Sequence, residues 1–296
     1  MNGFRGYIIT PLRALRHRNY RLFFIGQGIS LVGTWMQSIA MNWLVYRLTA
    51  STFTLGVVGF AGQIPAFLFS PVAGVMSDRW KKHRVLLVTQ ALSMFQAGMI
   101  AALTIAGSIS VWHIMALTVF LGIVNSFDLP TRQAFVIEMV DDRADLSNAI
   151  ALNSALFNSS RLLGPALAGM IVAFAGEGVC FVINTVSYAA VIASLLAMRI
   201  VESRAPGSSY KIMTELREGM RYVRNFQPIR DLLITLFSVC LIGMSFPVLM
   251  PEFATEVLKG TSHTYGFLIS FSGIGAFIAT MFLAMRKSVV GLERII

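Results

Sequence analysis

Charged side chains are scarce in this sequence, and acidic ones are the scarcest. Only 13% of the residues are Asp, Glu, Lys or Arg, and 14 acids stand against 24 bases. A soluble globular domain carries about 25% charged residues, so the composition excludes an ordinary soluble protein. The sequence instead contains long apolar runs, and 56% of its residues are hydrophobic. We therefore predict an all-α polytopic membrane protein, because a transmembrane barrel would show short alternating segments.

Cysteine, histidine and phosphate-binding loops are also rare or missing. The two cysteines, Cys180 and Cys240, fall in apolar runs and offer neither a disulfide framework nor a metal site. The sequence contains no G-x-x-x-x-G-K-[ST] loop, which an ATP-driven pump requires. Gly28-Ile29-Ser30 is a weak nucleophile-like triplet, but no histidine lies deep in a span to act as its base, because His113 and His263 sit near outer span ends. We expect neither an enzyme nor a bound cofactor or metal.

Eight apolar runs are long enough to cross a bilayer, which takes about 20 helical residues. They cover residues 21–46, 53–76, 84–107, 110–138, 145–174, 178–199, 229–253 and 263–286. The predicted units are a cytoplasmic basic tail (1–20), a six-helix transmembrane half (21–200), a cytoplasmic linker (201–228) and two further helices (229–296).

The basic residues predict the orientation of the spans. All but three of the 24 Lys and Arg residues fall on one side of the predicted membrane. The exceptions are Arg47 and Lys259 on the other side and Arg161 within the fifth span. Since positive loops stay in the cytoplasm, we expect a cytoplasmic N-terminus and a surface that attracts anionic inner-leaflet lipid. This placement argues against a nucleic-acid partner despite the net charge of +10.

Two polar segments have helical patterns. In the tail, residues 11–18 are a candidate interfacial helix, in which we expect His17 to be a solvated member of the polar face. In the linker, an apolar face and a basic face predict an amphipathic helix on the inner membrane surface, with a solvated helix as the alternative. These two faces consist of Ile212, Leu216, Met220 and Val223, and of Arg217, Arg221 and Arg224.

A charged island, residues 74–84, separates the second and third spans. Asp78 is placed to form charge-assisted hydrogen bonds with Arg79 and Arg84, and Gly74 lets a neighbouring helix approach closely. The island resembles the loop 2–3 signature of the major facilitator superfamily, which implies a role in the cytoplasmic gate. A purely topological role, holding the loop in the cytoplasm, is the alternative.

The fourth span carries Phe127-Asp128-Leu129-Pro130-Thr131-Arg132, which resembles a stretch of the enterobactin-exporter-like transmembrane secretion effector branch of that superfamily. The resemblance implies proton-coupled efflux of a small siderophore- or drug-like amphiphile through a bacterial inner membrane. It also implies a substrate- or proton-linked role for Asp128 and Arg132. Arg161 is costly within a span and by default faces a cavity or an acid, so we expect it to pair with Asp128. A merely structural pair is the alternative.

In the fifth span, Gly164, Pro165 and Gly169 resemble the helix-five motif of drug exporters, although Ser160 and Ala168 replace two of its glycines. The motif implies efflux, and a plain packing kink is the alternative. Polar residues within spans need partners. Four of them are our candidates for lining a cavity: Gln37, Asn42, Asn125 and Asn158.

The resemblance implies a major facilitator-type bundle with a complete six-helix N-terminal half and two helices of the second half. We expect the chain to be C-terminally truncated, with the missing helices present in a full-length form. Two alternatives to efflux remain open. One is a lipid or lysolipid flippase of the same fold, and the other is a truncated membrane protein that transports nothing.

Overall fold

A computed structural model describes residues 10–140, 142–199, 212–243 and 246–285. This part of the chain is helical and contains no strand, which confirms the all-α prediction. The α-helices are α1 (Arg18–Thr49), α2 (Thr52–Arg79), α3 (Lys82–Ile105), α4 (Val111–Met139), α5 (Leu146–Ala175), α6 (Glu177–Leu196), α7 (Ile212–Asn225), α8 (Gln227–Gly243), α9 (Phe246–Glu252) and α10 (Ser262–Met285). Short 3-10 helices cover Thr10–Arg16 and Arg143–Asp145, and a π-helix covers Phe253–Val257.

Short polar signals end the long helices where the sequence predicts turns. Ser51 caps α2 by accepting a hydrogen bond from the Thr54 amide at 3.2 Å, as serine does at helix N-termini. Gly176 separates α5 from α6 with a φ of 80°, which glycine adopts without steric cost. Such tight connections make the neighbouring helices antiparallel.

Five helices in the described part of the chain are long and apolar enough to cross a membrane. They are α3, α4, α5, α6 and residues 52–74 of α2. The remaining three predicted spans fall short of that criterion for separate reasons. α1 is long enough but interrupted by polar residues. α8 has only 17 residues, and most side chains of the second half of α10 lie outside the described residues.

The helices pack side by side in the order α2, α4, α3, α6, α1, α5 and α10. One apolar cluster joins α1 to α10 around Met36, Leu44, Tyr265 and Ile269. A second cluster, around Tyr20, Leu86 and Phe135, lies at the end of the bundle that holds the α2–α3 turn. We call this end the α2–α3 end, and the other the α1–α2 end.

The second predicted half begins irregularly. The seventh predicted span, 229–253, is covered by α8 and α9, with residues 244–245 between them outside the description. The described side chains of α8 are mostly exposed, whereas α9 contacts α1 and α2. α7 lies where the linker helix was predicted, and its Met220 is exposed. That α7 rests on a membrane surface stays a prediction.

Candidate transport site

A buried carboxylate lies between α3 and α4. Asp128 is 1% exposed and accepts hydrogen bonds from the Thr89 hydroxyl and the Gln90 amide, each at 2.8 Å. Its second oxygen pairs with the guanidinium of Arg132, one turn further along α4. Buried carboxylates are stable when they are paired and hydrogen-bonded in this way. We call these four residues the Asp128 cluster.

Three polar atoms within or next to this cluster have no hydrogen-bond partner among the described residues. Among the described residues, Gln90 Oε1, Thr131 Oγ1 and Arg132 Nε are buried without a hydrogen bond. Unsatisfied buried polar groups are rare in folded proteins and mark sites of strain, water or function. The cluster therefore has spare donors and acceptors beside a buried acid.

The predicted pairing of Arg161 with Asp128 is wrong. The Arg161 guanidinium lies 5.9 Å from the centre of the Trp35 ring on α1, whereas Arg132 takes the place beside Asp128. The reason is geometric, because residues four apart on one helix are neighbours and α5 packs mainly against α1 and α10 rather than α4. Stacking on an aromatic face is a known way to place a cation in a protein.

Glycines bring α5 into close contact with two helices. A Cβ built on Gly164 lies 2.4 Å from the Trp35 Cβ of α1. A Cβ on Gly169 lies 3.0 Å from the Cα of Gly266, and one on Gly266 lies 2.7 Å from the Pro165 carbonyl. Only glycine fits where two backbones approach so closely. We call the contact of Gly169 and Pro165 with Gly266 the α5–α10 seam.

The charged island covers the end of α2, the two connecting residues 80–81 and the start of α3. The side chains of Asp78 and Arg79 lie outside the described residues, so the predicted latch with Arg84 stays a prediction. A Cβ built on Gly74 has 4 Å of open space around it. The close helix approach that we expected at Gly74 stays a prediction.

The candidate cavity residues lie in different surroundings. Gln37 is buried in a chain of amides: its Nε2 donates to Gln96 of α3 at 3.0 Å and its Oε1 accepts from Asn184 of α6 at 2.7 Å. Asn125 is half-buried on α4. Asn158 donates to the backbone carbonyl one turn earlier on α5. These contacts give Gln37 a place in helix packing, and a cavity role for the others stays a prediction.

Contacts between α1 and the helices of the second half close the α1–α2 end. Asn42 donates to the Tyr265 hydroxyl of α10 at 3.3 Å, and Trp43 stacks on the same ring with centroids 6.1 Å apart. Thr255, in the π-helix, donates to the Tyr46 hydroxyl at 3.2 Å. The sequence analysis did not predict these contacts. Trp43, Tyr46 and Tyr265 lie at span ends, and each has an apolar ring with a polar group at its edge, so they were a signal for contacts between helices there.

A second feature that sequence reasoning missed is the buried acid Asp145 at the α2–α3 end. His17 is 8% exposed and its Nε2 lies 3.0 Å from Asp145, whose carboxylate also binds Arg16 at 2.8 Å. The Tyr20 hydroxyl donates to the Ala149 carbonyl at 2.8 Å. The prediction of a solvated His17 is therefore wrong, because the 3-10 helix folds back onto the start of α5.

The bundle, with five helices long and apolar enough to cross a membrane in its described part, defines the class as a polytopic helical membrane protein. The model of the family described as Transmembrane secretion effector matches residues 9–296. The chain belongs to this family, which is part of the major facilitator superfamily. The match confirms the resemblance seen in the sequence.

Relatives with known names agree with this assignment. The Staphyloferrin A transporter of Staphylococcus aureus is 26% identical over 92% of this chain and 68% of its own length. The Multidrug efflux pump Tap of Mycolicibacterium fortuitum is 24% identical over 88% of this chain and 64% of its own length. The Macrolide efflux protein A of Streptococcus pyogenes is 22% identical over 93% and 70%. The chain thus spans 64–70% of the length of these relatives.

Proposed function

We propose that the chain carries out proton-coupled efflux of a small siderophore- or drug-like amphiphile by alternating access, and that it is not an enzyme. The observation that carries the proposal is the buried carboxylate of Asp128 with its ion-pair partner Arg132. The names of the relatives support the class of solute, since they include a siderophore transporter and drug efflux pumps. The N-terminus and the α2–α3 end face the cytoplasm, as the distribution of cations indicates.

Asp128 exchanges the proton in this mechanism. When the carboxylate is ionised, Arg132 and the hydroxyl of Thr89 hold it between α3 and α4. Protonation removes the charge that holds Arg132 and leaves a buried cation without its counter-ion, which is unstable. The guanidinium then turns toward a new partner, and the contact between α3 and α4 changes with it.

The two helix contacts of the second half have distinct roles. The α5–α10 seam is the hinge, since its glycines let the backbones slide without clashing side chains. The contacts of Asn42 and Tyr46 with the second half close the periplasmic side and break when that side opens. The island residues Asp78, Arg79 and Arg84 latch the cytoplasmic side, and Arg161 and Asn158 of α5 face the solute.

Uptake into everted membrane vesicles tests this proposal, with staphyloferrin A and a macrolide as separate probes. We expect at least one probe to accumulate when a proton gradient is applied and to be lost when a protonophore collapses it. Asp128→Asn abolishes the gradient-driven accumulation, whereas Asp142→Asn, at an exposed acid, leaves it unchanged. Unaltered accumulation in Asp128→Asn would remove Asp128 from the mechanism. Movement of a labelled phospholipid without uptake of either probe would favour the flippase instead.

A further inference from the structure

An apolar groove of about 590 Å³ runs along the outer surface between α3 and α4. Its walls consist mainly of aliphatic and aromatic side chains, among them Val88, Leu92, Ile123 and Phe127. Val88 is 58% exposed, and α6 and α2 pack on the far sides of α3 and α4. The groove therefore opens toward the surroundings of the bundle rather than toward its interior.

Two cations and an aromatic ring stand at one end of this groove. Lys81 and Arg84 line it where α3 begins, and Trp80 beside them stacks on Phe127 with ring centroids 6.3 Å apart. Tryptophan prefers the boundary between headgroups and acyl chains. The positive end of the α3 dipole lies at the same place. The end of the groove is thus suited to an anion.

The length of the groove matches one lipid chain. From Lys81 to Leu92 the helix rises about 16 Å at 1.5 Å per residue, and half of a bilayer's hydrocarbon core is about 15 Å thick. An acyl chain that starts at the cations would end near the middle of the membrane. Charge and length therefore agree on the same occupant.

We propose that the α3–α4 groove binds one anionic phospholipid of the inner leaflet, with its phosphate at Lys81 and Arg84 and an acyl chain along Val88 and Leu92. The lipid chain reaches Thr89, which lines the groove and donates to Asp128. A bound chain keeps water away from this side of the Asp128 cluster. The choice of leaflet rests on the proposed cytoplasmic orientation of the α2–α3 end, whereas the lipid site itself stands whether or not efflux is observed.

Quenching of Trp80 fluorescence tests the site. The chain is placed in nanodiscs that contain phosphatidylglycerol or phosphatidylcholine, each brominated on the shallow part of the acyl chain. The Trp80 signal is the difference between the wild type and Trp80→Phe, because the chain has 4 tryptophans. We expect phosphatidylglycerol to quench this signal more strongly than phosphatidylcholine at equal mole fraction.

Two double variants separate the site from general surface charge. Lys81→Gln/Arg84→Gln should lower the preference for phosphatidylglycerol about fivefold for each cation removed. Arg217→Gln/Arg221→Gln removes the same charge from α7 and should leave the preference unchanged. Val88→Phe fills the groove without altering charge, and we expect it to lower the quenching by phosphatidylglycerol.

Three outcomes would overturn the proposal. Equal quenching by both lipids would mean that ordinary boundary lipid fills the groove. An equal loss in the two double variants would mean that the whole surface, rather than a site, attracts the lipid. A Trp80 signal that neither lipid quenches would mean that protein, such as a second copy of the chain, covers the groove.

Discussion

Asp128 is buried because three donors compensate the loss of its hydration. Two of them, Thr89 and Gln90, come from α3, and Arg132 comes from α4 itself. A buried charge pair of this kind stabilises a fold little compared with apolar residues, yet breaking it by removing one partner is costly. Removing one partner of the pair should therefore destabilise the fold more than replacing both.

The first prediction concerns this pair. Asp128→Asn should lower the free energy of unfolding by about 3 kcal/mol, because Arg132 then lacks its counter-ion. Arg132→Gln added to it should restore much of the loss, since no charge is then left unpaired. The check is thermal unfolding in detergent, followed by intrinsic fluorescence for the single and double variants. Additive losses in the double variant would show that the two residues do not interact.

The second prediction concerns the acid that holds the N-terminal 3-10 helix. Asp145→Asn removes the ion pair with Arg16 and weakens the hydrogen bond with His17, and it should weaken this contact by about 1–2 kcal/mol. Trypsin should then cut at Arg13 and Arg16 about 5- to 30-fold faster, since each 1.4 kcal/mol corresponds to a factor of about ten. Asp142→Asn is the control, because an exposed ion pair contributes at most about 1 kcal/mol. Equal cleavage of both variants would contradict the role of Asp145.

At the scale of helices, glycine decides which surfaces meet. Gly266 touches Pro165 and Gly169 across the α5–α10 seam, whereas Gly275, on the same helix, has open space around it. The sequence marked Gly164 and Gly169 as packing positions but did not name α10 as the partner. The partner follows from the packing order of the bundle, in which α5 lies between α1 and α10.

The third prediction compares these two glycines of α10. Gly266→Ala should destabilise the seam by about 1–3 kcal/mol, because the new methyl group meets backbone atoms at 2.7 Å. Gly275→Ala should be neutral or stabilise the helix by up to about 1 kcal/mol, since alanine is the better helix former. Unfolding midpoints of both variants provide the measurement. A Gly266→Ala variant as stable as Gly275→Ala would show that the two helices are not in close contact.

At the scale of the whole molecule, the two ends of the bundle differ in the number of basic residues that pair with acids. The α2–α3 end collects Arg16, Lys82 and Arg132, each paired with an acid. At the α1–α2 end, Arg47 pairs with Glu177 at 2.8 Å. This asymmetry is what the positive-inside rule expects of a multi-pass protein with a cytoplasmic N-terminus.

The fourth prediction tests this orientation in cells. A cysteine at Lys81 should react with a membrane-impermeant maleimide only after the cells are permeabilised. A cysteine at Lys259 should react in intact cells, because that residue is 77% exposed at the other end. A Lys81→Cys variant that is labelled in intact cells would reverse the topology and, with it, the assignment of the gates.

The sequence by itself determined the class of fold and the family. Long apolar runs must form helices in a membrane because every backbone group needs a partner there, and the limits of α2 to α6 follow those runs closely. The stretch around Asp128 and Arg132 was also sufficient to indicate the transmembrane secretion effector family. Local patterns carry this information, since helix formation and insertion depend on neighbouring residues.

Only the tertiary structure decided which polar groups meet. It placed Arg132 rather than Arg161 beside Asp128, buried His17 against Asp145, and joined Asn42 to Tyr265 across 223 residues. Periodicity gives the face of a helix but not the identity of its neighbour. Partners of buried charges are therefore fixed by the packing order of the helices, which a single sequence does not reveal.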